Sequence, residues 1–330
     1  MIDNALPIII VALLVWVVIR AERQPLWAEA YRRLRSNRNA MASLGIILLF
    51  ATVGVLDSIG WSNNRHSDRL TVIDRVFRNT QERTYSAPFA KVTTGEPHPH
   101  KLLAKHILGT DGVGNDVLYE TLRGCRTALI IGCFTQLIVT PLALLFGMMA
   151  GYFGKRADDI IQYVYTVLDS IPSLLLLIVL LLVLGKGMPQ ICVALGVTSW
   201  VGLCRLVRGE TLKHRDRDYV RAARALGLSH IRIMFRHILP NLLPVVIITA
   251  TLGVSGNMLQ ETILSYLQIG VPSDMGSWGN MIDAARMELA REPVIWWNLT
   301  SASIALLCLV LAFNIFGDAL RDAVDPRLRS

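Results

Sequence analysis

The chain has 330 residues, of which 53% are hydrophobic and only 18% charged, with a mean hydropathy of +0.46 and a formal net charge of +8. That balance excludes a soluble domain of this length, and no nucleic-acid-binding motif accompanies the positive charge. The apolar stretches lack the ten-residue alternation of a membrane β-strand, so the expected fold class is all-α, a polytopic helical membrane protein.

A bilayer core about 30 Å thick takes about 20 mainly apolar residues per helix. The first run, LPIIIVALLVWVVI at 6–19, is shorter than that. Arg20 and Arg23 follow it, where a secretory signal peptide would carry charge in front, which leaves an extra amino-terminal span or an interfacial helix. With the basic residues to 38 it forms the first unit, 1–38. Six core spans are predicted at 41–59, 127–153, 160–184, 189–206, 239–260 and 299–317. The second unit, 39–126, holds the first of them and a long polar segment, 60–126; the third, 127–330, holds the other five.

Within the long segment, RHSDRLTVIDRVFRNTQERTYS (65–86) mixes charges over a short helical pattern, and the histidines of HPH (98–100) read as polar loop. LGTDGVGND (108–116) is rich in Gly and Asp and predicts tight turns capped by its own carboxylates just ahead of the next span. The 160–184 span carries Asp169 and Pro172. A carboxylate at this depth needs a partner, a water-filled cavity or a proton, so Asp169 is either paired, with Arg205 as the nearest candidate, or part of a solute pathway. Gln260 and Glu261 close the 239–261 span, and Glu261 joins Asp169 and Pro172 as a pathway or gate candidate. Trp278, Trp296 and Trp297 lie near predicted span ends, where indoles settle at the headgroup level.

The segment 208–240 is unlike its neighbours. DRDYVRAARAL (216–226) favours helix, Gly227 can take the left-handed conformation that ends one, and Ser229 can cap the next. Ile231, Met234, Phe235 and Ile238 then recur at helical spacing, with Arg232 and Arg236 on another face, and Pro240 falls in the first turn of the following span. The prediction is a short amphipathic helix presenting an apolar stripe edged with arginine. Such a stripe either sinks into lipid or docks into the groove of a soluble partner.

Charge sets orientation. Nineteen of the 33 lysines and arginines fall in 20–38, 154–159, 208–237 and 318–330, which are therefore expected on the cytoplasmic side, carboxyl terminus included. Anionic lipid is a secondary partner of those charges. The five cysteines form no C-x-x-C pair and sit mostly in apolar runs. No P-loop is present: Gly154-Lys155 is followed by Arg156.

Four ordered motifs carry a family resemblance over about residue 30 to the end. The elbow resembles the coupling loop of bacterial ABC importer permeases, with Ala222, Ala223, Gly227, Leu239 and Pro240 in place; Arg221 stands at its glutamate position and Ile238 one place beyond its isoleucine. HILGTDGVGNDVLYETLRGCRTALIIG (106–132), LSYLQIGVPSDMGSWGNMI (264–282) and AFNIFGDALRDAVDPRLR (312–329) are similar to segments of the dipeptide/oligopeptide/nickel permease family, with Asn115 replacing a basic residue. The resemblance implies a permease subunit that does no bond chemistry and holds no cofactor or metal of its own. It also implies a second homologous permease, two cytoplasmic ATPases that carry ATP-Mg, and an extracytoplasmic substrate-binding protein. The 60–105 segment would then face that binding protein or be a flexible insert. A self-sufficient secondary transporter would show more buried charge and broken helices in both halves. An intramembrane enzyme would show a convergent catalytic set among the spans.

Overall fold

The computed structural model describes residues 25–61, 70–76, 81–95 and 98–324, so the 6–19 run lies outside the described residues. Helices α1 (Pro25–Ser36) and α2 (Arg38–Ser58) meet at Asn37, whose side chain accepts from the Asn39 and Ala40 N–H groups and caps α2. A minimal antiparallel hairpin, β1 (Gly60–Trp61) with β2 (Leu70–Thr71), leads into the single turn α3 (Val72–Val76). The rest is helical: α4 (Val117–Phe153), α5 (Lys155–Ser170), α6 (Ser173–Leu184), α7 (Met188–Thr198), α8 (Trp200–Arg215), α9 (Asp218–Ala225), α10 (His230–Ile233), α11 (Leu239–Tyr266), α12 (Trp278–Arg286) and α13 (Trp297–Val324).

Among the described residues, five runs are long and apolar enough to cross a bilayer: α2, α4, α7 with α8, α10 through α11, and α13. The pair α5 and α6 makes a sixth if taken as one broken span, because it bends by 88°. This corrects the continuous 160–184 span expected from hydropathy. Pro172 has no N–H to give and forces Ile171 into an extended conformation (φ −90°, ψ 129°), so the helix ends before it and restarts after it.

A second correction concerns α4, which begins ten residues before the expected span and runs for 37. That is about 55 Å at the α-helical rise, so α4 reaches beyond the bilayer core. Asp116 starts it by accepting from the Leu118 and Tyr119 N–H groups. The unit boundary at 126/127 therefore cuts through a helix.

The most extensive helix contact is between α4 and α8. A Cβ placed on Gly147 would stand 2.8 Å from the Cys204 carbonyl oxygen, and one on Gly151 would stand 2.7 Å from that of Arg208. Small residues four apart let two backbones approach where lipid offers no hydrophobic drive to do so. Polar pairs secure the neighbouring seams. Arg208 grips Asp158 of α5 through two bonds of 2.6 and 2.7 Å. Asn257 of α11 donates to Gln136 of α4 (3.2 Å), and Ser255 donates to Asn314 of α13 (2.7 Å).

At the end of the bundle opposite the arginines, residues 81–95 and 98–116 are folded onto the helices. Buried Glu82 accepts from the Leu103 and Ala104 N–H groups at 2.7 and 3.1 Å. The His106 ring lies between Glu82 (3.2 Å) and the capping residue Asp116 (2.7 Å). Asp111 accepts from the Val113 and Asn115 N–H groups, so LGTDGVGND is a capped turn system, as its composition predicts. Two tryptophans depart from the headgroup belt expected of them. Trp278 and Trp297 are 1% and 4% exposed, and their indoles donate to the carbonyls of Thr121 and Thr110. Only Trp296 of the three is exposed. An indole can be buried when its N–H finds a carbonyl, and both do. Nearby, burial pushes the Glu288 carboxyl up from its ordinary range, against hydrogen bonds from Asn298 and Tyr85.

Gly147→Leu should lower the thermal midpoint of the detergent-purified protein, with a cost of about 1–3 kcal/mol for forcing extra atoms into a closed seam. Gly202→Ala on the open face of α8, where nothing lies within 4 Å, should leave it unchanged. Equal midpoints for both variants would show that the α4–α8 seam is not close-packed.

Candidate functional site

The basic elbow leaves α8 through Lys213 and Arg215, cations placed where the helix dipole favours them, with His214 between them. Helix α9 buries Val220 and Ala223 and leaves Arg221 and Ala222 outside. It closes in a paired turn, Gly227 N–H to the Arg224 carbonyl (2.9 Å) and Leu228 N–H to the Ala223 carbonyl (3.2 Å), with Gly227 at φ +75°. This is the Schellman arrangement, and it needs a left-handed residue at that position. Ser229 caps the next helix by accepting from the Arg232 N–H.

The apolar stripe expected of that helix divides. Met234 and Ile238 are buried, together with Ile233, in a cluster that includes Val207, Val220 and Leu242. Ile231 (67% exposed) and Phe235 (52%) face outward beside Leu226 (81%), with Arg221, Arg224, Arg232 and Arg236 also exposed. Nor is the helix a separate element. From His230 it continues through a π turn (Met234–Ile238) into α11. The turn is widened because Pro240 follows: Pro240 has no N–H for residue 236, and the Leu239 N–H reaches back five residues to the Met234 carbonyl. Leu239 is partly buried and Pro240 exposed at the start of α11.

Among the three candidate pathway residues, Asp169 and Glu261 each meet partners of their own. Asp169, in the last turn of α5, meets Arg205 of α8 at 2.7 Å, and the guanidinium lies 4.9 Å from the Tyr165 ring centroid. Both side chains are about half exposed in the isolated chain, so the pair sits on an open face of the bundle. Pro172 lies in the break between α5 and α6. Glu261 does not end its helix, which runs on to Tyr266. It is 1% exposed, and its Oε1 accepts from Ser265 (2.7 Å) and Ser277 (2.8 Å). Because Ser277 also caps α12, Glu261 ties α11 to α12. A wholly buried carboxyl shared by two hydroxyls is a structural clasp, and the paired serines of LSYLQIGVPSDMGSWG are the sequence signal for it. No group of three or more His, Cys, Asp or Glu side chains among the described residues could hold a metal ion.

Residues 143–330 match the family described as "Binding-protein-dependent transport system inner membrane component", and residues 25–63 match the "N-terminal TM domain of oligopeptide transport permease C". The chain belongs to that binding-protein-dependent permease family. Relatives include the oligopeptide transport system permease protein OppC of Bacillus subtilis (32% identical over 92% of this chain and 90% of that one) and of Haemophilus influenzae (33%, over 94% and 92%). The dipeptide transport system permease protein DppC of Bacillus subtilis is 34% identical over 91% of this chain and 86% of its own. A solved chain of the MetNI methionine ABC transporter shares the fold, with a TM-score of 0.53 at 18% identity, covering 63% of this chain and 97% of that one.

Glu261→Leu should cost about 1–3 kcal/mol for each hydroxyl left without an acceptor, read as a lower thermal midpoint. Glu261→Gln keeps an oxygen at Oε1 and should retain most of the stability. A Gln variant as damaged as the Leu variant would show that the carboxyl does more than accept these two bonds.

Proposed function

We propose that this chain is one of two homologous permease subunits of an ATP-driven importer for short peptides, with the elbow as its docking point for a cytoplasmic ATPase. One observation carries the reading: Leu226, Ile231 and Phe235 face outward among four arginines, while Val220, Ala223, Ile233, Met234 and Ile238 hold the same elbow firmly to the bundle. An exposed apolar patch on a rigid seat suits a groove in a partner. ATP-Mg is bound and hydrolysed by two such partners, and this chain supplies no cofactor. Peptide as cargo is supported by the names of the relatives that match nearly the whole chain. An extracytoplasmic binding protein delivers it to the face built by residues 81–116. The distribution of positive charge supports an arginine-rich end and a carboxyl terminus on the cytoplasmic side of the inner membrane.

Affinity purification from native membranes should bring down a second permease and two ATPase subunits. Ile231→Asp with Phe235→Asp should release the ATPases and leave the permease pair together. A Cβ at Gly227 meets no atom within 4 Å, so the cost of Gly227→Val, about 1–2 kcal/mol, is mainly that of the left-handed backbone, and it should weaken ATPase retention without blocking insertion. Ion-driven uptake by the purified chain alone would overturn the proposal in favour of a secondary transporter. Accessibility tags offer a separate check: those at 210–216 and the carboxyl terminus should report inside, and one at 98–101 outside.

A further inference from the structure

The corner at Gly227 is held from both sides by one side chain of another helix. Tyr152, in the last turn of α4 and 4% exposed, places its hydroxyl 2.9 Å from His230 Nδ1 and 3.4 Å from Arg224 Nε. Arg224 and His230 stand three residues before and three after the glycine. The Arg224 guanidinium also lies 4.9 Å from the centroid of the Tyr152 ring, and the His230 ring meets that ring edge-on at 5.6 Å. With Arg224 donating to the phenol oxygen, the phenol proton is free to bond His230 Nδ1, so all three groups are satisfied in one chain. One residue before Tyr152, the Gly151 carbonyl is reached by Arg215 at 3.4 Å. The end of α4 is thus bonded to the last turn of α8, the end of α9 and the start of α10, on the inward side of an elbow whose outward side carries Leu226, Ile231 and Phe235.

A partner that displaces the elbow must therefore carry the end of α4 with it or break these bonds. The far end of α4, 37 residues away, is the Asp116 cap held by His106 and Glu82. We infer that Tyr152 is a positioning residue that couples the docked elbow to α4, so that movement of the ATPase is passed to a helix reaching both ends of the protein. The inference rests on the ATPase-docking reading above and adds to it the residue through which the motion is transmitted.

The test uses the complete importer, with its partner permease, ATPases and binding protein, reconstituted in liposomes. ATPase retention, ATP hydrolysis and peptide uptake are read together for the wild type, Tyr152→Phe and Tyr152→Leu. Both variants leave Leu226, Ile231 and Phe235 in place, so both should retain the ATPases and hydrolyse ATP. Peptide moved per ATP should fall by about three- to tenfold in Tyr152→Leu, the range of a typical coupling loss, and by less in Tyr152→Phe, which keeps the ring and loses the hydroxyl. A merely structural tyrosine would lower uptake and hydrolysis together as folded complex is lost, leaving their ratio unchanged. An unchanged ratio in both variants overturns the inference and leaves the docking reading standing. A wild-type complex that assembles without ATPases overturns both.

Discussion

The seam between α4 and α8 is the constraint on which the rest of the bundle depends. Two glycines one turn apart bring the α4 backbone against the carbonyls of α8, and no residue with a Cβ fits at either place without a shift. In a bilayer, close contact of this kind must stand in for hydrophobic drive, because a helix gains little by leaving lipid for another apolar surface. Once α8 is fixed, its side chains fix others: Arg208 holds α5 through Asp158, Arg205 meets Asp169, and the last turn delivers the chain into the elbow. The arginine-rich end is ordered by a seam whose core is backbone against backbone, with Arg215 on the Gly151 carbonyl at its edge.

Three sets of polar side chains join helix seams at short range. Glu261 with two serines, Asn257 with Gln136 and Ser255 with Asn314 each join two elements that apolar packing alone would leave free to slide. The Asp169–Arg205 pair is as short but half exposed. An exposed ion pair contributes little by itself, and on the apolar flank of a membrane protein it would be costly to leave against lipid. Its setting is consistent with a face that meets water or another protein chain in the assembled complex.

Much of this was legible in the residues. Apolar length located the helices α2, α11 and α13, glycine and serine marked the corner of the elbow, and Asp111 and Asp116 announced their turns. The failures share a cause, which is that one-dimensional hydropathy records what a side chain is and not where its polar atom goes. Glu120, Arg123 and Arg126 concealed the first ten residues of α4, although Asp116 is an ordinary cap for them. Trp278 and Trp297 were expected among headgroups because no sequence shows that a carbonyl waits for each indole inside. The apolar stripe of the elbow split for a similar reason. Helical periodicity groups Ile231, Met234, Phe235 and Ile238 on one face, while the π turn and the cluster around Val207 decide which of them the bundle takes.

That π turn has a geometric consequence of its own. It adds one residue to a turn, and one residue is about 100° of rotation in an α-helix. Met234–Ile238 therefore acts as a phase adapter between two surfaces with different tenants: the elbow before it and the membrane-buried face of α11 after it. Neither surface has to inherit the angular register of the other. Removing a single residue from this stretch would leave the composition of both faces intact and turn one against the other by roughly a quarter of a revolution, so at this joint the number of residues matters more than their identity.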